Sequence, residues 1–242
     1  MKKVEQVQCF ENKLLLIIFL TPITLQKNIF LRNRLHYFNS FTLTPLSKNK
    51  TKNMYKPLRL NIERKIPLTD DEWKFIVEKT EFIKLKKNEF LQIQNSNSSY
   101  ECFILKGAFK TYILNDNGNE SVIFFSFENE WMCDLESFYH QKPTTYNIKA
   151  IEDSEILVIS KANKTLLFAQ VPKLIQFHII MVEKANIAIQ QRLLDVLNKN
   201  SKQRYLDFIA RYPNKFKGIN NKNLSSYLGV SHEFLSKIKK RC

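Results

Sequence analysis

Between positions 231 and 241 the chain reads Ser231-His232-Glu233-Phe234-Leu235-Ser236-Lys237-Ile238-Lys239-Lys240-Arg241. Wound into a helix, this stretch puts Leu235 and Ile238 on one side and His232, Glu233, Ser236 and Lys237 at or near the other. Those four side chains have the chemistry needed to reach base edges: glutamate accepts from the cytosine amine and lysine donates to guanine. Ser231 is a good N-cap, and a helix N-terminus attracts phosphate by itself. Lys239, Lys240 and Arg241 would add phosphate contacts, which supply affinity rather than sequence choice.

Such a helix needs a partner to hold it, and the preceding residues have the right pattern. Asn221 to Ile238 reads as a helix-turn-helix: Leu224, Ser225 and Leu228 form the inner face of the first helix, with Ser225 small enough for close approach. Gly229 falls where the chain must turn with positive φ, and Val230 plugs the corner. An ordinary helical hairpin shares this pattern, and charge separates the two readings. Residues 199–242 hold eleven Lys/Arg against two Asp/Glu, whereas residues 54–198 hold 18 against 19. A near-neutral body with a dense basic end points to a polyanion, since neutralised phosphates release counterions; a solvated tail is the plainer alternative.

Upstream, Thr69-Asp70-Asp71-Glu72 is a capping box, flanked by Leu68 and Trp73 as a staple, and predicts a short helix through about Lys79. Strands are predicted near 82–86, 89–94, 100–105, 108–114, 120–127, 131–135, 144–151 and 155–159, with the clearest turns at Lys106-Gly107 and Asn115–Asn119. Many short strands at regular spacing indicate a small barrel or sandwich with an interior able to hold a small ligand. From Pro172 a helical pattern runs for some 25 residues. Leu174, Phe177 and Met181 form one stripe, and Ile180, Ile187, Leu194 and Leu197 another. One stripe suits the barrel and the other a second copy of the helix, or both are buried within one subunit. The helix is expected to pass into Gln203–Tyr212 and to stop at Pro213.

Residues 1–53 contain no Ala, Gly or Asp. The apolar run Leu14–Leu20 is far shorter than the roughly 20 residues of a membrane span, and no A-x-A cleavage site follows it. The segment reads as an N-terminal extension upstream of a start at Met54, with anchoring through Leu14–Leu25 as the competing reading. Cys9, Cys102, Cys133 and Cys242 are too scattered for a disulfide scaffold and suit a reducing, cytoplasmic setting. His36, His140, His178 and His232 are isolated, so no metal or haem site is expected. Cys102 and Cys133 either meet inside the barrel and respond to oxidation or are inert buried thiols. With no nucleophile beside a base and no phosphate-cradling Gly-rich loop, the chain does not read as an enzyme.

A β-roll, a long helix and a C-terminal helix-turn-helix, in that order, resemble the Crp–Fnr family of bacterial transcription regulators over roughly residues 55–242. The resemblance rests on Phe103-Ile104-Leu105-Lys106-Gly107, the Asn115–Glu120 hairpin, Trp131-Met132-Cys133-Asp134-Leu135 and Leu224–Ile238. It implies an α+β chain: a β-roll sensor at 54–170 (cyclic-nucleotide-binding-like), a long dimerisation helix at 171–198 and a small DNA-binding helical domain at 199–242. It also implies a homodimer on a two-fold operator, with RNA polymerase as a candidate partner and no stable membrane association. His232, Glu233 and Lys237 take the positions of the family's base-reading residues, with His232 and Lys237 standing where Arg is common.

The family's effector site maps onto Asp134, Leu135, Thr144 and Thr145, but Cys133 replaces its Gly, Asp134 its Glu, and Thr144 its phosphate-binding Arg. Cyclic AMP would lose its charge-assisted partner there, although Lys142 or Lys149 offers a substitute charge. No cofactor is expected, since the iron–sulfur members carry an N-terminal cysteine cluster that this chain lacks. The competing function is a small-ligand-binding signalling module whose basic end meets acidic protein or membrane.

Overall fold

The computed structural model describes residues 53–98, 100–215 and 218–240. The expectations for the N-terminal extension, apart from its last residue, and those for Arg241 lie outside the described residues. Two helices come first, α1 (Lys56–Glu63) and α2 (Asp70–Glu78). The capping box of α2 forms in full: the Thr69 hydroxyl accepts from the Glu72 amide, and the Glu72 carboxylate accepts from the Thr69 amide.

Eight strands follow: β1 (Glu81–Leu85), β2 (Phe90–Gln92), β3 (Tyr100–Lys106), β4 (Ala108–Leu114), β5 (Glu120–Phe127), β6 (Trp131–Met132), β7 (Asn147–Ala150) and β8 (Ser154–Ser160). They make two four-stranded sheets, ordered β1-β8-β3-β6 and β2-β7-β4-β5, with antiparallel pairing throughout. Helices α3 (Leu135–His140), α4 (Lys161–Gln170), α5 (Lys173–Asn198), α6 (Ser201–Arg211), α7 (Asn221–Leu228) and α8 (His232–Lys240) complete an α+β chain.

Both sheets are buried on two faces, and the strand period of two sorts the side chains. On β3 and β8, Phe103, Leu157 and Ile159 pack with Leu58 and Ile62 of α1, Ile76 of α2, Leu167 of α4, and Leu174 and Phe177 of α5. On β4 and β5, Ala108, Tyr112, Val122, Phe125 and Phe127 pack with Tyr205 and Phe208 of α6, Leu224 and Leu228 of α7, and Leu235 and Ile238 of α8.

Several sequence expectations change. The strand expected at 131–135 ends at Met132, because Asp134 N-caps α3 and turns the chain. The strand expected from 144 begins at Asn147. Lys106-Gly107 closes no hairpin; the chain there passes from one sheet to the other, so β3 and β4 do not pair. The reversal at Asn115–Asn119 is a true hairpin: the Asn115 side chain accepts from the amides of Asn117 and Asn119, and β4 pairs with β5.

Helix α5 does not pass into α6. Lys199 is extended (φ −111°, ψ 141°), and Asn200 begins α6 with a second capping box through Gln203. On α5, Leu174 and Phe177 are buried and Met181 packs on the same core. From Glu183 to Asn198, every residue except Arg192 and Asp195 is exposed, including Ile187 (65%), Leu194 (52%) and Leu197 (70%).

Gly107 sits at the corner with φ +98°, and a Cβ there would lie 2.8 Å from the Ser154 Cα. Gly118, in the hairpin, has φ +73° but open space around it. Gly107→Ala is expected to destabilise the fold by about 3 kcal/mol, combining left-handed strain with a backbone clash, and Gly118→Ala by only about 1 kcal/mol. Urea unfolding of the two variants checks the ranking.

Candidate functional site

Helices α7 and α8 form a tight pair. Gly229 is left-handed (φ +66°), and the Val230 amide reaches back to the Ser225 carbonyl (3.0 Å), so a Schellman turn ends α7 at that point. Ser231 caps α8, its hydroxyl accepting from the Phe234 amide (3.1 Å). Leu235 and Ile238 are buried beneath, while His232, Glu233, Lys237 and Lys240 are exposed. Ser236 and Lys239 are half-buried: the Ser236 hydroxyl donates to the His232 carbonyl (3.0 Å), and the Lys239 ammonium donates to the Asn221 side chain. The Glu233 carboxylate is held below its ordinary pKa by its own backbone N–H and the Ser231 hydroxyl. Six of the eight residues singled out for DNA thus lie on α8 and Ser231 caps it, with Leu235 and Ile238 turned inward and Phe234 left exposed.

This pair is fastened to the roll through β5, the edge strand of its sheet. Edge strands leave unpaired N–H and C=O groups, and here the Ser226 hydroxyl takes one of each: it accepts from the Val122 amide (2.9 Å) and donates to the Glu120 carbonyl (2.6 Å). Nearby, the buried Lys110 ammonium joins the Glu120 carboxylate and the Asn223 side-chain oxygen. Rings line the seam, with Phe125 at 6.0 Å from Phe208 and 5.3 Å from Tyr227. Arg192 of α5 lies over Tyr227 (4.1 Å) and donates to the carbonyls of Val122 and Tyr227.

In the roll, two of the four residues assigned to an effector come together and two do not. Asp134 and Thr144 are buried, whereas Leu135 and Thr145 are exposed. One Asp134 oxygen accepts from the Ser137 amide at the start of α3 (3.2 Å). The other accepts from the Thr144 hydroxyl and from the Gln92 amide (3.3 Å). Thr144 also bonds Ser96 and Asn95 through its backbone. The Asp134 carboxylate is therefore already engaged by three protein donors.

Sequence reasoning missed a buried polar cluster between the roll and α5. The Lys164 ammonium pairs with Glu101 (2.7 Å) and lies 3.2 Å from His178 Nδ1, while the Tyr139 hydroxyl lies 3.0 Å from His178 Nε2. His178 was read as isolated because its partners are 14, 39 and 77 positions away. A signal did exist: Glu101 alternates with Phe103 on a strand face otherwise apolar, and a carboxylate there requires a buried cation. Cys102 and Cys133 are free thiols. Burial, with the Glu101 charge, pushes both thiol pKa values up, so both stay protonated and poorly reactive. Among the described residues, no group of three or more His, Cys, Asp or Glu could hold a metal ion, and no helix is long and apolar enough to cross a membrane.

Two outcomes follow from this geometry. Ser226→Ala leaves the Val122 N–H and Glu120 C=O without their partner and is expected to cost about 1–2 kcal/mol in urea unfolding. Burial, with the Lys164 charge adding and Glu101 opposing, lowers the His178 pKa from its ordinary value of 6.5. The unfolded chain therefore takes up this proton first as pH falls. The stabilisation is fully present above about pH 6.5 and drains away below it. Thermal midpoints from pH 8 to 5 should show this slope, and His178→Gln should flatten it.

Residues 82–170 match the family model described as a cyclic nucleotide-binding domain. No curated protein matches the chain. Among solved structures, FixK2 from Bradyrhizobium japonicum superposes with a TM-score of 0.60 at 13% identity, covering 67% of this chain and 83% of that one. CLP from Xanthomonas campestris, a c-di-GMP-responsive global regulator, gives 0.59 at 10% identity, covering 72% and 91%. A protein from Eubacterium rectale described as a transcriptional regulator of the crp/fnr family gives 0.58 at 16%, covering 72% and 83%. With its two-sheet roll, long helix and closing helix pair, the chain has the fold of these solved regulators, and its residues 82–170 are similar to the cyclic nucleotide-binding domain.

Proposed function

We propose that the protein is a homodimeric, sequence-specific DNA-binding transcription regulator of Crp–Fnr type, with an effector pocket that does not take cyclic AMP in the usual manner. The observation that carries this reading is the placement of α8. Its apolar side is anchored by Leu235 and Ile238, and its polar side, with His232, Glu233, Lys237 and Lys240, faces solvent at the basic end of the chain. A helix so held enters a major groove with its N-terminal residues toward the bases. Lys237 and Glu233 are the base-reading candidates; Lys240 and the half-buried Lys239 suit phosphates.

Dimerisation is supported by the second half of α5. Ile187 and Leu194 are seven residues apart, and with Leu193 and Leu197 they leave an apolar stripe in water. Two such helices pack against each other through a heptad seam. The pair would set two copies of α8 about 34 Å apart, one turn of DNA, which suits a two-fold operator.

The pocket reading is supported by the inward bonds of Asp134 and Thr144 and by the absence of an arginine at position 144. A cyclic phosphate would find no guanidinium there, and reaching Asp134 would break its bonds to Thr144 and Gln92. The regulator domains suggested by this reading are 54–170 as sensor, 171–198 as dimer helix and 199–242 as DNA-reading end.

Selection of bound duplexes from a random pool, followed by anisotropy titration, tests the proposal. A two-fold consensus is expected. Lys237→Ala should cost about 1–3 kcal/mol and relax choice at one base pair, whereas Lys240→Ala should weaken all duplexes alike and lower the salt slope by about one. Leu194→Glu should give a monomer in sedimentation and abolish two-fold binding. Sequence-independent binding indifferent to Lys237→Ala, or a wild-type monomer that binds DNA unchanged, would overturn it.

A further inference from the structure

Phe234, in the first turn of α8, is 48% exposed, whereas Leu235 and Ile238 on the same helix are 0% and 5% exposed. Successive helical residues stand about 100° apart, so the residues that anchor α8 turn into the core while the Phe234 ring is left in water at its flank. Among the described residues of α7 and α8, it is the one large apolar side chain left exposed. Its backbone is fixed, because its amide donates to the Ser231 hydroxyl (3.1 Å).

Lone apolar residues on a surface are ordinary. What distinguishes this one is its company. Glu233 precedes it and Lys237 lies three positions on, both exposed. That second spacing puts the two Cβ atoms about 5–6 Å apart on neighbouring lines of the helix surface. A groove-reading helix meets base edges with its N-terminal residues, and Phe234 stands in that turn.

The chemistry of base edges then decides what such a ring can meet. In the major groove adenine, guanine and cytosine offer ring nitrogens, carbonyls and amines, which a phenyl ring desolvates without replacing their hydrogen bonds. Thymine alone adds a methyl at C5, and apolar contact with that methyl is favourable. The ring therefore rewards thymine and penalises the other bases, the two halves of specificity. The glutamate and lysine beside it distinguish donors from acceptors, and a methyl is neither.

We infer that Phe234 is a specificity-determining residue that reads a thymine C5-methyl in each half-site, within two base pairs of the pair read by Lys237. The inference rests on the reading of α8 as a major-groove helix. The window follows from base pairs stacking about 3.4 Å apart, set against the Cβ spacing of the two side chains. Burying one methyl is worth about fourfold in affinity, and so about fifteenfold over a two-fold operator.

The test uses the full chain and the two-fold consensus duplex obtained by selection. Deoxyuridine replaces each thymine in turn, which deletes the methyl and keeps the base pairing. In anisotropy titrations, one thymine within two base pairs of the position relaxed by Lys237→Ala should show a loss of about fourfold, rising to about fifteenfold when both half-sites are changed. Phe234→Ala should weaken binding to the thymine duplex at least as much, and should no longer distinguish it from the uracil duplex. Should Phe234→Ala fail to fold, Phe234→Gln, which keeps bulk and loses the apolar ring, decides in its place. Three results overturn the inference while leaving α8 as the reader: specific binding indifferent to every deoxyuridine, a thymine effect undiminished in the Phe234 variant, or a consensus without thymine in that window. Failure to select any consensus overturns it together with the DNA reading.

Discussion

The outer face of β4 and β5 carries Ala108, Tyr112, Val122, Phe125 and Phe127, and no water-facing sheet can present that much apolar surface. Something must cover it, and the cover is the C-terminal helices, whose Phe208, Leu224, Leu228, Leu235 and Ile238 complete the same core. At about 25 cal/mol per Å² of apolar area removed from water, each fully buried ring or Leu there is worth roughly 1.5–3 kcal/mol. Burial brings the helices to the sheet without fixing their angle. Direction comes from the polar pins at the rim: the Ser226 hydroxyl between two groups of β5, Lys110 between Glu120 and Asn223, and Arg192 on the Tyr227 carbonyl. These three set the rotation of α7, and α7 sets α8 through Gly229.

The same arrangement explains how different ends of the molecule are held in register. Helix α5 is clamped at its first half by the Glu101–Lys164–His178 cluster and by Leu174 and Phe177. Near its other end Arg192 reaches the β5 carbonyl and the end of α7. A shift of α5 against either sheet would therefore strain charged or ring contacts at both places. Within the roll, Asp134 serves as a structural cap and hydrogen-bond hub, so the turn into α3 is stabilised by its own side chains.

Much of this was legible in the residues. The capping box at Thr69, the hairpin at Asn115–Asn119 and the turn at Gly229 are local patterns, and these survive folding. Helices α3 and α4 were not legible. Six residues of α3 are too few to show a period, and α4 starts directly at the end of β8, where Ser160 serves both elements. The break at Lys199 was hidden because it falls in the polar run Asn198–Arg204, where no apolar period registers it, and only the Asn200–Gln203 pairing marks the new start. Least visible were the pins. Ser226 meets Glu120 across 106 positions and Lys110 meets Asn223 across 113, so neither pair leaves a periodic trace.

The bare second half of α5 has a consequence for the chain as a population. Ile187, Leu193, Leu194, Val196 and Leu197 stand in water on a helix that the rest of the molecule does not shelter. The hydration penalty they carry is relieved only when another apolar surface arrives, so it is governed by mass action rather than by the fold alone. Under the proposed dimer, dilution and synthesis become variables the molecule feels: scarce chains stay wet along this seam, and abundant ones dry it.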